Sequence, residues 1–381
     1  MILKAGGDRL DISLIPTKGP YPSGRNFERV ELPFTISLEE GKQKISLSTI
    51  GISSEDIMLD FRSIELVPVS AKEKVAAEYK RALKSRASVD WMMEAGYGLM
   101  FHWTSQSVQP DGSIKSFEEA VNEFDVERFA GMVEETGAGY VFLTIGHAES
   151  YCPAPIRSWE KVHPGMTTKR DLIMEIADVL AEKNIRFLCY INGPLGFKLK
   201  VRNNRPTEKE KQVFVVNYNS ILSEMGERYQ DKLAGYWFDS WNPIFEEFPE
   251  APFEEFHAAS KIGFKDRIIC LNSWIYPPVT PWQEYWAGEV LSPIGLPVNG
   301  YLENGPVTDL PYQALLIMDA PWVQQKAEMR DPRITSEKLA GYIKDCMRNK
   351  GAVTINLGIY QDGTVGEKAL QVMREVRDEI R

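Results

Sequence analysis

Cysteine and histidine are scarce in this 381-residue chain, four of each. The cysteines, Cys152, Cys189, Cys270 and Cys346, are far apart and form no C-x-x-C pair. That spacing disfavours both a structural zinc site and a disulfide framework. Cys189 and Cys270 stand inside apolar runs and read as small buried hydrophobes. A basic surplus is also missing: 44 Lys and Arg face 54 Asp and Glu, a net charge of −10. This argues against a nucleic-acid partner, because few counterions could be released from a phosphate backbone. No run approaches the ~18 apolar residues of a membrane-spanning helix, so no membrane partner is expected. The start, Met1-Ile2-Leu3-Lys4, lacks the apolar stretch of an export signal, which predicts a cytoplasmic protein or a trimmed periplasmic or secreted one. The P-loop, H-E-x-x-H and G-x-S-x-G are absent. Gly137-Ala138-Gly139 precedes a strand-like run instead of following one, and His147-Ala148-Glu149 has no P-C-x-x-C downstream. Dinucleotide binding and zinc deamination are set aside accordingly.

What remains is ordinary globular composition, 43% hydrophobic and 26% charged. Residues 1–70 carry short alternating runs, Leu10–Ile15, Val30–Leu38, Ile45–Ile50 and Ile57–Val69, split by Gly, Pro, Ser and Asn. They read as antiparallel strands of a small β-rich segment. From Ala71 to Ala95 the period becomes helical, with Val75, Tyr79 and Leu83 on one face. Eight strand-like runs follow: Tyr97–Trp103, Tyr140–Gly146, Ile185–Asn192, Gly235–Trp241, Arg267–Trp274, Tyr285–Val290, Tyr312–Ala320 and Ala352–Gly358. Between them lie helical segments at Asp125–Thr136, Lys169–Lys183, Thr207–Tyr229, Pro252–Ile262, Ser336–Asn349 and Gly366–Ile380, with Asp125 and Thr335 or Ser336 as N-caps. This alternation predicts an α/β fold, a (β/α)8-like TIM barrel over 71–381, irregular around strands five to seven where the helices are weak or missing. An open doubly wound sheet would want a glycine-rich turn after an early strand, and none occurs.

The segment Gly235-Tyr236-Trp237-Phe238-Asp239-Ser240-Trp241 is the most informative. Strand alternation places Trp237, Asp239 and Trp241 on one face. A carboxylate between indoles at a barrel strand's C-terminal end stands where such folds carry catalysis, and aromatic faces suit the C–H faces of a sugar. The alternative role for Asp239 is to cap the following turn. Two of the four histidines, His102 and His147, fall at the ends of the first two strands. Thr354 and Asn356 share the inward face of strand eight, where polar groups are costly unless they serve a site or each other.

Four segments, in order, resemble the α-L-fucosidases of glycoside hydrolase family 29. They are Tyr97-Gly98-Leu99-Met100-Phe101-His102-Trp103, Phe129–Thr144 with His147, Gly235–Trp241, and Asn349–Leu357 with Asp362-Gly363-Thr364. The resemblance implies a (β/α)8-like barrel, a retaining exo-glycosidase, and removal of terminal α-L-fucose from an oligosaccharide or glycoconjugate. It makes Asp239 the nucleophile, and His102 and His147 the ligands of sugar hydroxyls. Trp103, Glu149, Trp237, Trp241, Trp274, Glu303 and Trp322 are further candidates for substrate contact. The chain departs from the family in several places. The usual His-His-Asp on strand two is reduced to His147 between Gly146 and Ala148. The arginine after strand five is replaced by Trp274, a Trp-Glu pair before strand seven reads Tyr312-Gln313, and the usual C-terminal β-sandwich is not expected here. The N-terminal segment, 1–70, is similar to part of a carbohydrate-binding sandwich.

A retaining glycosidase needs a second carboxyl group about 5–5.5 Å from the nucleophile. Glu284, Glu289 and Glu303 are the candidates for the acid/base. The resemblance implies an acid/base well downstream of the nucleophile; by that measure Glu289, 50 positions past Asp239 and beside Gly288 and Trp286, fits best, and Glu303, in a turn-like context, follows. Two carboxylates suffice for the chemistry, so no metal or cofactor is expected. Oligomeric state is left open. Two other readings compete: the same fold acting on another fucose-like sugar such as L-galactose, and a carbohydrate-binding protein with a degenerate catalytic site.

Overall fold

The computed structural model describes residues 2–5, 8–11, 35–38, 40, 44–48, 66–147, 149–193, 206–272, 280–291, 309–320 and 322–381. Near the N-terminus, β1 (Ile2–Ala5), β2 (Asp8–Asp11) and β3 (Ile45–Ser48) form an antiparallel sheet in the order β2-β1-β3. The run expected as a strand at Val30–Leu38 shows none over Thr35–Leu38, and its beginning lies outside the described residues. Likewise Ile57–Val69 is described only at its end, where Val69–Ala71 is a 3₁₀ turn leading into the first helix.

The barrel strands are β4 (Tyr97–Phe101), β5 (Tyr140–Ile145), β6 (Arg186–Asn192), β7 (Leu233–Asp239), β8 (Ile268–Leu271), β9 (Trp286–Leu291), β10 (Tyr312–Ile317) and β11 (Ala352–Leu357). All are parallel, in the order β8-β7-β6-β5-β4-β11-β10-β9. Around them run α1 (Lys72–Ser85), α2 (Asp90–Ala95), α3 (Phe117–Glu123), α4 (Val126–Thr136), α5 (Arg157–Val162), α6 (Leu172–Glu182), α7 (Glu208–Tyr229), α8 (Asn242–Glu247), α9 (Phe253–Ser260), α10 (Ser336–Arg348) and α11 (Glu367–Ile380). No helix stands between β8, β9 and β10 among the described residues, the irregular sector expected from the sequence. The caps are local chemistry. Asp125 accepts the Arg128 N–H ahead of α4, Thr335 accepts that of Lys338 ahead of α10, and Thr207 with Glu210 closes a capping box on α7.

Strand alternation divides the core into two layers. Met100, Phe142, Leu188, Trp237, Cys270 and Leu315 fill the barrel, while Leu99, Phe101, Tyr236, Phe238 and Ile355 face the helices. All four cysteines are free and buried, and burial pushes the Cys189 and Cys270 thiols well up. Inside the barrel the Thr354 hydroxyl hydrogen-bonds the Tyr140 hydroxyl at 3.0 Å and accepts from Gln313, so Thr354 is satisfied within the core.

Closure between β8 and β9 has a different basis from the other joints. Among the described residues no ladder joins the two strands. Instead Glu284 Oε2 accepts the Ile269 N–H at 2.7 Å, Gln283 Oε1 accepts that of Leu271 at 3.1 Å, and the Glu284 N–H donates to Ile269 O at 2.9 Å. The other Glu284 oxygen receives Lys261 Nζ at 2.5 Å and His257 Nε2 at 2.9 Å. Burial pushes this carboxyl up, but Lys261 and His257 outweigh it and hold the group at about 2. Glu284 is therefore an ionised seam residue, directed away from the barrel mouth. Removing one partner of a buried ion pair leaves the other charge uncompensated, typically at a cost of about 3–5 kcal/mol. Glu284→Gln, which strands Lys261, should lower stability by about that amount in chemical denaturation; an unchanged midpoint would show that water already screens the cluster.

Candidate active site

At the C-terminal ends of the strands His102, His147, Tyr190, Trp237, Asp239, Asn272, Glu289, Leu315 and Trp322 line a pocket of about 300 Å³, counted to its open mouth. Each polar group follows from the strand that carries it. Asp239 is the last residue of β7, two positions after inward-facing Trp237. Asn272 follows β8 directly and is fastened to β7 by its N–H to Phe238 O, 2.7 Å. Glu289 lies in β9, beside Gly288, where any Cβ would meet the Tyr312 ring at 2.6 Å. Glycine at 288 thus lets β9 and β10 approach at the height of the carboxyl.

The centre of the pocket is a hydrogen-bonded carboxyl pair. One amide nitrogen, Asn272 Nδ2, donates to Asp239 Oδ1 at 2.7 Å and to Glu289 Oε2 at 2.9 Å. Those two oxygens can be no further apart than the two bonds laid end to end. Tyr190 donates its hydroxyl to Asp239 Oδ2 at 2.6 Å, and Ser240 Oγ lies 3.2 Å from the same oxygen. Burial and then the negative charge of Asp239 push Glu289 up to about 8, although the Asn272 hydrogen bond pulls the other way. Burial and Asp239 also hold the Tyr190 phenol far above its usual range, so it remains a donor.

The histidines form one wall. Asn356 Oδ1 faces His102 Nδ1 at 2.6 Å, so the ring hydrogen sits on Nδ1 and Nε2 is left to accept. Burial first, then neighbouring His147, push His102 down to about 3. Burial lowers His147 as well, against the pull of Asp239. Both rings are neutral near pH 7 and suited to hydroxyl groups more than to an anion. The His102 ring centroid is 5.5 Å from that of His147 and 4.9 Å from those of Tyr190 and Trp322.

The structure therefore brings Asp239, Glu289, His102, His147, Trp237 and Trp322 together. It separates others that the sequence had grouped with them. Trp241 was expected on the face of Asp239, but β7 ends at Asp239 and Ser240 adopts φ +59°, which breaks the alternation. Trp241 turns to the helix side and packs on Tyr218 and Phe256, with centroids at 5.6 and 5.4 Å. Trp103 also lies in the outer layer, donating Nε1–H to Gln361 O at 3.0 Å and packing on Phe117 and Phe124. Glu149 is exposed and accepts from Gln106 Nε2 at 2.9 Å and from Ser105; with Trp103 it lines a neighbouring cleft. Trp274 and Glu303 lie outside the described residues. Sequence reasoning missed Tyr190, Asn272 and Leu315. The available signal for Asn272 was the pattern of a polar residue ending an apolar strand run, which Asn192 and Asp239 share.

A family model for alpha-L-fucosidases matches residues 70–378. The chain belongs to the alpha-L-fucosidase family. Among curated relatives, the tissue alpha-L-fucosidase of Bos taurus is 27% identical over 141 residues, 29% of this chain and 30% of that protein. That of Macaca fascicularis matches to the same extent. The match thus takes in under a third of the length of these relatives. Among solved structures, a family 29 alpha-L-fucosidase from Bacteroides thetaiotaomicron, caught as a covalent intermediate with 2-fluoro-fucosyl fluoride, is similar with a TM-score of 0.57. Identity is 16%, covering 77% of this chain and 76% of that one. An alpha-L-fucosidase from Lactobacillus casei, in complex with α-L-fucose, is similar with a TM-score of 0.53 at 15% identity, covering 76% of this chain and 97% of that one. At these identities the structural likeness establishes the fold, a barrel of the family's kind.

Proposed function

We propose that this member of the family is a retaining exo-glycosidase that hydrolyses terminal α-L-fucosyl residues, with Asp239 as nucleophile and Glu289 as acid/base. The observation that carries the reading is the single amide of Asn272 shared by the two carboxyl groups. It holds the two oxygens it binds, Asp239 Oδ1 and Glu289 Oε2, closer together than the ~6.5–9.5 Å at which an inverting enzyme seats a water between its carboxyl groups, which supports the retaining course. The capture of the Bacteroides relative as a covalent intermediate is consistent with the same course.

In the first step Glu289, held protonated near neutrality, gives its proton to the glycosidic oxygen as the C1–O bond breaks. An oxygen of Asp239 forms a bond to C1 from the opposite face, and the leaving group departs as an alcohol. The ester carries no charge, so one of the two causes that raised Glu289 disappears. Glu289 is then readier to exist as a carboxylate and to take the proton of the attacking water. That water releases Asp239, and two inversions leave the anomeric configuration unchanged. His102 and His147 supply neutral partners for sugar hydroxyls. Trp237, Trp322 and Leu315 give the apolar surface against which C–H groups and a C6 methyl can rest. The substrate is accordingly an oligosaccharide or glycoconjugate.

The direct test is incubation with 2-fluoro-fucosyl fluoride and peptide mapping, alongside a panel of aryl glycosides. Labelling of Asp239, with hydrolysis of the α-L-fucoside, supports the proposal. Label on another carboxylate removes Asp239 from its role, and preference for the L-galactoside moves the substrate to that sugar. Sugar binding without turnover on any glycoside would favour the degenerate binding protein.

A further inference from the structure

Asn272 occupies an unusual place for an amide. It is buried, and its one side-chain nitrogen serves both carboxyl groups, at 2.7 and 2.9 Å. It also directly follows β8 while Glu289 lies in β9, across the joint that no ladder closes among the described residues. Two carboxyl groups that come within about 3 Å of each other tend to share a proton directly. Such sharing would turn the acid's hydrogen toward the nucleophile and away from a glycosidic oxygen. An amide nitrogen offers two hydrogens that diverge in one plane, one for each oxygen.

The geometry points to Asn272 as a positioning residue that keeps the two carboxyl groups apart and fixes which oxygen of Glu289 delivers the proton. This rests on the retaining-glycosidase reading above. With Oε2 taken up as an acceptor of the Asn272 N–H, the acidic hydrogen of Glu289 is carried by Oε1. Asp239 Oδ1 is engaged in the same way, while Tyr190 and Ser240 address Oδ2. Reversed, the amide would set Asn272 Oδ1 against Asp239 Oδ1, oxygen against oxygen, and lose the shared donor. Asparagine at 272 therefore performs what neither an apolar nor an acidic residue of similar size can.

The test compares Asn272→Ala and the isosteric Asn272→Asp with wild type, by pH profiles of kcat and KM on an aryl α-L-fucoside. NMR titration of carboxyl-labelled glutamate follows Glu289 directly. Loss of positioning should lower kcat by about 10²-fold, with KM changed far less. The Asn272 hydrogen bond favours the ionised form of Glu289, so its removal should move the alkaline limb and the Glu289 titration to higher pH. Asn272→Asp, which places a third like charge beside the pair, should move them further while preserving the shape of the side chain. A Glu289 titration that stays at the wild-type position in both variants overturns the inference, as does a loss confined to KM. A wild-type enzyme inactive on every fucoside would overturn the glycosidase reading instead, and the titration would still decide the role of Asn272.

Discussion

Replacing Asp239 with alanine or glycine should reduce turnover of an activated aryl α-L-fucoside by about 10⁴- to 10⁶-fold, the range seen when a covalent nucleophile is removed. Binding should survive, because His102, His147, Trp237 and Trp322 still line the pocket. Equilibrium binding of fucose to the inactive variant measures that half of the expectation. Added azide supplies the other half: it fits where the carboxylate was, attacks C1 once, and should yield fucosyl azide of inverted configuration. Substantial residual hydrolysis, or an azide product of retained configuration, would assign the nucleophile elsewhere.

The second large effect belongs to Glu289. Its alanine variant should lose about 10²- to 10⁴-fold with poor leaving groups, which need a proton as they depart. With an activated leaving group the first step is spared and the covalent ester should accumulate. Azide needs no general base, so it should relieve that block and give the retained product, the opposite stereochemistry to the Asp239 variants. The wild-type pH profile carries the same assignment. Glu289 is raised to about 8, and its protonated form is the active one. kcat/KM should therefore fall tenfold per unit above about pH 8, and Glu289→Ala should abolish that alkaline limb. If the limb persists unchanged in the variant, another group supplies the proton.

The barrel was readable because both of its periods are strong. Each of the eight apolar runs became a parallel strand, and the segments around Asp125, Thr207 and Thr335 became helices with the caps that their side chains allow. The short helices at Phe117–Glu123, Arg157–Val162 and Asn242–Glu247 were not anticipated. Two turns leave little hydrophobic period to read, although Ser116 and Glu119 did offer a capping box ahead of the first. At the site, Asp239 stood out as a carboxylate between indoles at a strand end, and Glu289 was preferred to Glu284 and Glu303 for its distance past Asp239 and its neighbours Gly288 and Trp286. Trp241 misled for a definite reason: alternation holds only while the strand lasts, and one positive φ at Ser240 turned the next side chain outward. Asn272 and Tyr190 could not be ranked from sequence. What marks them is a partner on another strand, a relation that exists only after the sheet is ordered.

The joint between β8 and β9 has a kinetic corollary. Asn272 and Glu289 sit on the two sides of it, so the spacing of the reacting groups depends on a closure that, among the described residues, is made mainly by side chains and not by a backbone ladder. Heating or acid that loosens the Glu284–Lys261–His257 cluster would let these strands breathe while the other seven joints hold. Catalysis would then fade at a lower temperature than the one at which the helices melt, and the gap between the two would widen in Glu284→Gln.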